Sequence, residues 1–97
     1  MEFEWDAAKA AENLEKHKVD FVEAVESFSD PNGFVLEDVK HSKDEERFFW
    51  VGKSASGRVL TTRFTRRERV IRIIGSAEWR DFRRLYDEKT KSKKSKA

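Results

Sequence analysis

The 97-residue chain is predicted to adopt an α+β fold: two N-terminal helices, a four-stranded twisted antiparallel sheet and a C-terminal helix. Three observations predict it. Two capped, amphipathic segments open the chain. Short β-branched and aromatic segments, punctuated by Gly, Pro, Asn and Ser, fill the middle. A second stretch of helical spacing, Trp79, Phe82, Leu85 and Tyr86, closes it. The length suits one domain with a limited core, assigned to residues 1–88.

The first helix opens at Trp5-Asp6. Asp6 is a strong N-cap, and Ala7, Ala10, Ala11 and Leu14 follow at helical spacing. Because the stripe is narrow and mostly alanine, this helix should lie close against its neighbour. Lys16-His17-Lys18 puts positive charge at the C-terminus, where the helix dipole favours it. His17, three residues past Leu14, is expected on the buried face in a packing or capping role. Asp20 caps the second helix and Glu23 forms a capping-box pair with it, while Phe21, Ala24, Val25 and Phe28 make the buried stripe. Asp30-Pro31-Asn32-Gly33 stops the helix.

Phe34-Val35-Leu36 is a short strand, and a polar loop over residues 38–46 holds His41. Residues 47–53 are apolar on both faces, as a central strand would be. Ser54-Ala55-Ser56-Gly57 then turns the chain into its most arginine-rich part. Strands over 58–65 and 69–74 are joined by Arg66-Arg67-Glu68, and the stretch holds Arg58, Arg63, Arg66, Arg67, Arg69 and Arg72. Strand alternation sets Val70, Arg72 and Ile74 on one face and Ile71 and Ile73 on the other. Arginine among such neighbours suits a face that meets carboxylates or phosphates. Arg63, Arg67 and Arg69 read as solvated hairpin charges. Gly75-Ser76 is expected to turn into a helix over 78–87, so that strand, glycine turn and helix N-terminus form an anion site. The lysine-rich tail, 89–97, is expected to be disordered, either holding a phosphate backbone loosely or serving solubility.

Composition narrows the function. Charged residues are 41% of the chain, against about 25% for typical domains. There is no cysteine and there are two histidines, so neither a disulfide nor a thiolate or zinc site is expected, and no cofactor. No apolar run nears the roughly 18 residues needed to span a bilayer. Met1-Glu2-Phe3-Glu4 lacks the basic start of a signal peptide, and a cytoplasmic address away from membranes is the expectation. Residues 1–50 carry 14 acidic and 6 basic side chains, a net −8, and residues 51–97 carry 15 basic and 5 acidic, a net +10. Ten of those bases precede Lys89, so the tail alone does not make the asymmetry. Either the halves complement each other, or the C-terminal half presents a basic surface to a polyanion.

Phe3-Glu4-Trp5-Asp6, Lys9-Ala10, Asn13, Lys16-His17, Val19-Asp20-Phe21 and Glu23-Ala24 carry a family pattern. So do Phe28, Asp30-Pro31, His41-Ser42, Glu46-Arg47-Phe48, Gly52, Ser54, Gly57-Arg58 and Leu60, and then Arg72-Ile73-Ile74-Gly75, Trp79-Arg80 and Tyr86. In ordered spacing from residue 3 to about 88, the chain resembles the BrnT toxins. It departs from the R-I-I-S-A-R reading of many members at Gly75, with Trp79-Arg80 following. The resemblance implies a RelE-like fold and a ribonuclease toxin of a type II toxin–antitoxin pair. It also implies a ribbon-helix-helix antitoxin of the BrnA kind that masks the toxin, with DNA met only through that complex.

Metal-free RNA cleavage needs a base for the 2′-hydroxyl, charge stabilisation at the phosphate and a proton for the leaving oxygen. Arginine suits the second task and cannot readily serve the first. Arg72 and Arg80 are the candidate phosphate clamp, with a structural salt bridge to an N-terminal carboxylate as the other reading for Arg72. Arg66 and Arg83 are outer contacts, and Arg84 shares a helix face with Arg80 and Arg83. For the base, Glu78, His41, Glu46 and Lys53 remain open, Glu78 entering the catalytic set and Lys53 the RNA-binding set. Trp79 is either core or a platform for an extruded base. Beside the ribonuclease stand two other readings: a non-catalytic RNA- or ribosome-binding module, and an interaction domain for an acidic partner.

Overall fold

The computed structural model describes the backbone of residues 1–95 and the side chains of residues 1–91. The order is β1 (Glu2–Glu4), α1 (Ala7–His17), α2 (Phe21–Ser27), β2 (Phe34–Glu37), a 3-10 turn (Val39–His41), β3 (Arg47–Lys53), β4 (Val59–Arg67), β5 (Val70–Ala77) and α3 (Arg80–Ser95). The strands form one sheet in the order β1-β5-β4-β3-β2. The α+β class and the three helices agree with expectation. The sheet has five strands, not four, and is mixed: β1 runs parallel to β5, the other pairs antiparallel. A three-residue Glu-Phe-Glu segment carries too little alternation to stand out in sequence. Its strand character comes from β5, whose edge it pairs.

The helices cover the sheet from both sides. On one face Phe21 and Ala24 of α2 pack on Phe64, Ile71 and Ile73, with Phe3, Trp5, Phe28 and Trp50 around them. The Trp50 indole lies so close to the backbone that a Cβ at Gly33 would come within 2.2 Å of it, and one at Gly52 within 2.6 Å. On the other face Tyr86 of α3 packs on Val51 and Val59, flanked by Phe34 and Phe82.

Asp6 caps α1 as expected, accepting from the Ala8 and Lys9 amides. The face that α1 buries is a correction. Asn13 is the buried residue of the helix, whereas Leu14 is 48% exposed and Ala7, Ala11 and His17 are exposed. The reason is polar. Beyond Arg72, β5 has no β1 neighbour, and Asn13 takes that place, accepting from Ser76 N (3.1 Å) and donating to Ser76 O (2.8 Å). An alanine or leucine there would leave buried backbone groups unpaired. In α2, Asp20 accepts from Val22 N, but Glu23 makes no capping box; it accepts from Ser54, Ser56 and Arg58.

The arginine-rich hairpin also differs from expectation. β4 runs through Arg66 and Arg67, and the turn is Glu68-Arg69, with Glu68 at φ 54°. Gly75-Ser76 is strand, not turn, and α3 starts at Arg80 rather than Glu78. A bulge opposite Arg63/Phe64 lets β5 continue to Ala77. The expected anion site of strand, glycine turn and helix N-terminus therefore does not form. α3 runs to Ser95, past Lys89, where a disordered tail was expected. Lys89 Nζ lies 4.1 Å from the Phe34 ring centroid, which docks that turn. The rest of the tail expectation, at residues 96–97, lies outside the described residues.

Candidate active site and nucleic-acid interface

Cross-strand register orders the α3 side of the sheet into rows. Phe34, Val51, Thr61 and Ala77 form one, and Leu36, Phe49, Arg63 and Gly75 the next. Arg47, Thr65, Arg72 and Glu4 form a third. Successive rows lie about 7 Å apart, two residues of strand rise. Tyr86 and Phe82 pack on the first row; in the second, Trp79 meets the Phe49 ring edge-on and Phe82 packs on it at a tilt. The third row stays half-exposed at Arg47 and Arg72, with Thr65 buried between them.

Beside these rows the polar loop folds back. Asp38 N donates to Arg47 O, Ser42 Oγ donates to Asp38 O, and Arg47 N donates to Ser42 Oγ. This staple fixes the 3-10 turn against β3. The Asp38 side chain, 5% exposed, lies with its two oxygens 3.1 and 3.0 Å from His41 Nδ1. A carboxylate accepting from Nδ1–H selects the tautomer that leaves Nε2 as an acceptor. The His41 side chain is 42% exposed, so the ring meets solvent.

Arg63 Nε lies 3.3 Å from Asp38 Oδ2 without hydrogen-bond geometry. Its guanidinium lies 5.4 Å from the Phe49 ring centroid and 5.9 Å from that of Trp79, within cation–π range. An arginine held through Nε keeps both terminal nitrogens as donors. Arg72, one row on, meets Glu4 at 3.3 Å. At the rim Glu45 lies 3.4 Å from Arg67, and the hydrogen bond from Arg67 holds its carboxyl below the usual range. The open half-face thus brings together a carboxylate-oriented imidazole and cations able to grip a phosphodiester.

A family model described as "Ribonuclease toxin, BrnT, of type II toxin-antitoxin system" matches residues 5–81. The chain belongs to the BrnT family. The crystal structure of the Brucella abortus ribonuclease toxin BrnT shares its fold, with a TM-score of 0.62 at 20% identity over 81% of this chain and 96% of that one. No curated protein matches the sequence. Membership makes this chain a BrnT-type ribonuclease toxin with a cognate antitoxin as partner. Among the described residues no helix is long and apolar enough to cross a membrane.

The residues expected to form this toxin's site do not all lie together. Arg72 and His41 are on the open half-face. Trp79 is half-buried, touching Phe49 and Phe82, so it packs and remains accessible. Arg80, Arg83 and Arg84 line one groove on exposed α3 with Asp87, Glu88 and Lys91, and Arg83 pairs with Asp87 at 3.8 Å. Glu78 is drawn into a separate network, 3.2 Å from Arg58, which also holds Glu23. Lys53 sits by the Tyr86 ring, two rows beyond Arg63's neighbour Phe49. Arg66 pairs with Ile71, on the opposite face from Arg72, and lines a groove there with Glu46 and Glu68. Arg63 and Asp38 were the residues that sequence reasoning passed over. Arg63 alternates with buried Phe64 between threonines, the one signal that it belonged with the strand interior and not with the solvated hairpin charges.

Proposed function

We propose that this chain is a metal-independent endoribonuclease whose active site is the open half of the α3 face. Arg72 and Arg63 hold the scissile phosphate, and His41 takes the proton from the attacking 2′-hydroxyl. One observation carries the reading: Asp38 meets both the His41 imidazole and the Arg63 guanidinium within 3.3 Å. Base, orienting carboxylate and cation therefore share one corner, an arrangement suited to general-base catalysis beside a phosphate. The 2′-oxygen attacks phosphorus as His41 Nε2 accepts its proton, and the bond to the 5′-oxygen breaks. The products are a 2′,3′-cyclic phosphate and a 5′-hydroxyl, protonated by the imidazolium or by water. Arginine donors aimed at the non-bridging oxygens stabilise the charge that builds there.

Arg80 is better suited to an outer contact with the RNA than to the clamp, together with Arg83 and Arg84 on the same face of α3. Glu78, tied to Arg58, is set aside as base in favour of His41. The antitoxin, a ribbon-helix-helix protein of the BrnA kind, would cover the arginines with an acidic segment and supply all contact with DNA. Labelled RNA incubated with purified toxin, with and without EDTA, tests the reading. Cleavage should persist in EDTA and fall at least 100-fold in His41→Ala with melting unchanged. Retention of RNA without cleavage would indicate a binding module, and neither would indicate an interaction domain. Loss of cleavage on chelation would overturn the metal-free mechanism.

A further inference from the structure

A second concavity lies on the other side of Arg63. It occupies about 300 Å³ between α1, the far end of β5 and Trp79, at the small end of the roughly 300–1,000 Å³ typical of ligand pockets. Three features build it. β1 pairs only with Val70–Arg72, so the edge of β5 beyond is free of strand, and Asn13 covers it only at Ser76. The bulge and Gly75 leave the notch unfilled: a Cβ at Gly75 would meet only Asn13 Oδ1, at 3.5 Å. Gly75 stands opposite Arg63 in the register, and its missing side chain lets the cavity reach that arginine. The walls are cationic and aromatic, with Lys9 and Lys16 of α1 on one side and Trp79 on the other. Glu12 offsets part of this charge, holding Lys16 Nζ at 2.7 Å.

Building on the RNA-cleaving reading, we infer that this notch is a nucleotide subsite. It takes one unpaired RNA base against Trp79 and the adjoining phosphate between Arg63 and Lys9. A planar ring fits a slot with an aromatic wall and no side chain at Gly75, and stacking on an aromatic is the usual way to hold a single-stranded base. An acidic peptide would use the lysines but gain nothing from the ring or the glycine. Arg63 touches both sites, so a nucleotide in the notch sets the register of the phosphate delivered to Arg72 and His41.

The test separates binding from cleavage. Fluorescently labelled RNA hexamers with 2′-O-methyl riboses have no free 2′-hydroxyl and stay intact, and anisotropy reads their affinity. Gly75→Val, a strand-compatible side chain that fills the notch, and Trp79→Ala should each weaken binding about tenfold. Lys9→Ala should lower the slope of log affinity against log salt by about one. A hexamer carrying 5-iodouracil should photo-crosslink to Trp79 in wild type and far less in Gly75→Val. Because Trp79→Ala also removes packing on Phe49 and Phe82, melting curves accompany both variants, and Gly75→Val stands alone if Trp79→Ala unfolds. His41→Ala should bind as wild type does while losing cleavage. If Gly75→Val binds and crosslinks like a wild type that cleaves RNA, the subsite is wrong and the active-site assignment stands. A wild type that neither binds nor cleaves RNA overturns both.

Discussion

The α3 side of the sheet is one surface with two unlike halves built on the same strands. In the covered half Val51, Val59 and Tyr86 are at most 3% exposed, and the Tyr86 hydroxyl is satisfied by Asp30 at 2.5 Å. Two residues further along, on the same side, stand Arg63, Thr65 and Arg72. Arg63 Nε and Thr65 Oγ1 are buried there with no hydrogen-bond partner, and Thr61 Oγ1 is likewise unpaired in the covered half. Unpaired buried polar atoms are costly in a folded protein and call for an explanation. For Arg63 Nε, the phosphate of the proposed site would supply one. Alternation along a strand assigns a side, but the reach of a helix decides which part of that side becomes core and which becomes site.

The largest effect should separate the halves by activity. Arg72→Ala should lower RNA cleavage about 100- to 1,000-fold, the roughly 3–4 kcal/mol expected for one lost charge-stabilising donor. Its ion pair with Glu4 is 39% and 48% exposed on the two sides, so stability should fall by less than about 1 kcal/mol. A collapse of the fold on thermal melting would make Arg72 structural and remove the contrast.

In the covered half the response should be in stability. Tyr86→Phe removes a hydrogen bond to a carboxylate, a contact type of about 1.5–3 kcal/mol. Burial and the Asp30 hydrogen bond raise the Tyr86 pKa to about 12. That contribution is complete below pH 10 and is lost as pH rises toward 12. Burial pushes Asp30 up, but the hydrogen bonds from Tyr86 and from the Lys53 and Asn32 amides outweigh it and hold the carboxyl low. Its contribution is present above the ordinary value of 3.8 and is lost as pH falls below it. Melting across pH should show Tyr86→Phe with a lower Tm at neutrality, no further alkaline loss between pH 10 and 12, and a weaker acid limb. Unchanged melting would mean that Asp30 does not anchor α3.

Truncation after Glu88 sharpens the comparison at the edge of the covered half. It removes the Lys89–Phe34 contact, about 0.5–1 kcal/mol for an exposed cation–π pair, and should lower Tm by only a few degrees. The lost lysines should also reduce the salt dependence of RNA binding. A larger drop in Tm would show that the last turns of α3 pack more extensively. The smallest effect belongs to Arg67→Ala. Its partner Glu45 is at the rim, and Arg67 is 69% exposed, so cleavage and melting should both match wild type. A fall in cleavage would extend the site to the hairpin turn.

Much of this was legible in the chain itself. Caps at Asp6 and Asp20, the stop at Asp30-Pro31-Asn32-Gly33 and the stripe Phe21, Ala24 need only neighbours in sequence, because capping and helical period are local. The ordered motifs from Phe3 to Tyr86 were enough to indicate the family, and the basic second half pointed to a polyanion. Two residues of the proposed site were already candidates, His41 as a base and Arg72 as a phosphate clamp. What the sequence could not rank was partnership. Asp38 meets Arg63 across 25 positions, and Asn13 meets Ser76 across 63. Such pairs depend on register and on a bulge at Ile74, and a bulge reverses the side of every residue beyond it. Only the folded sheet could therefore bring Arg63, read from sequence as a solvated hairpin charge, to Asp38, set Asn13 against the edge of β5, and pair Glu78, a candidate base, with Arg58.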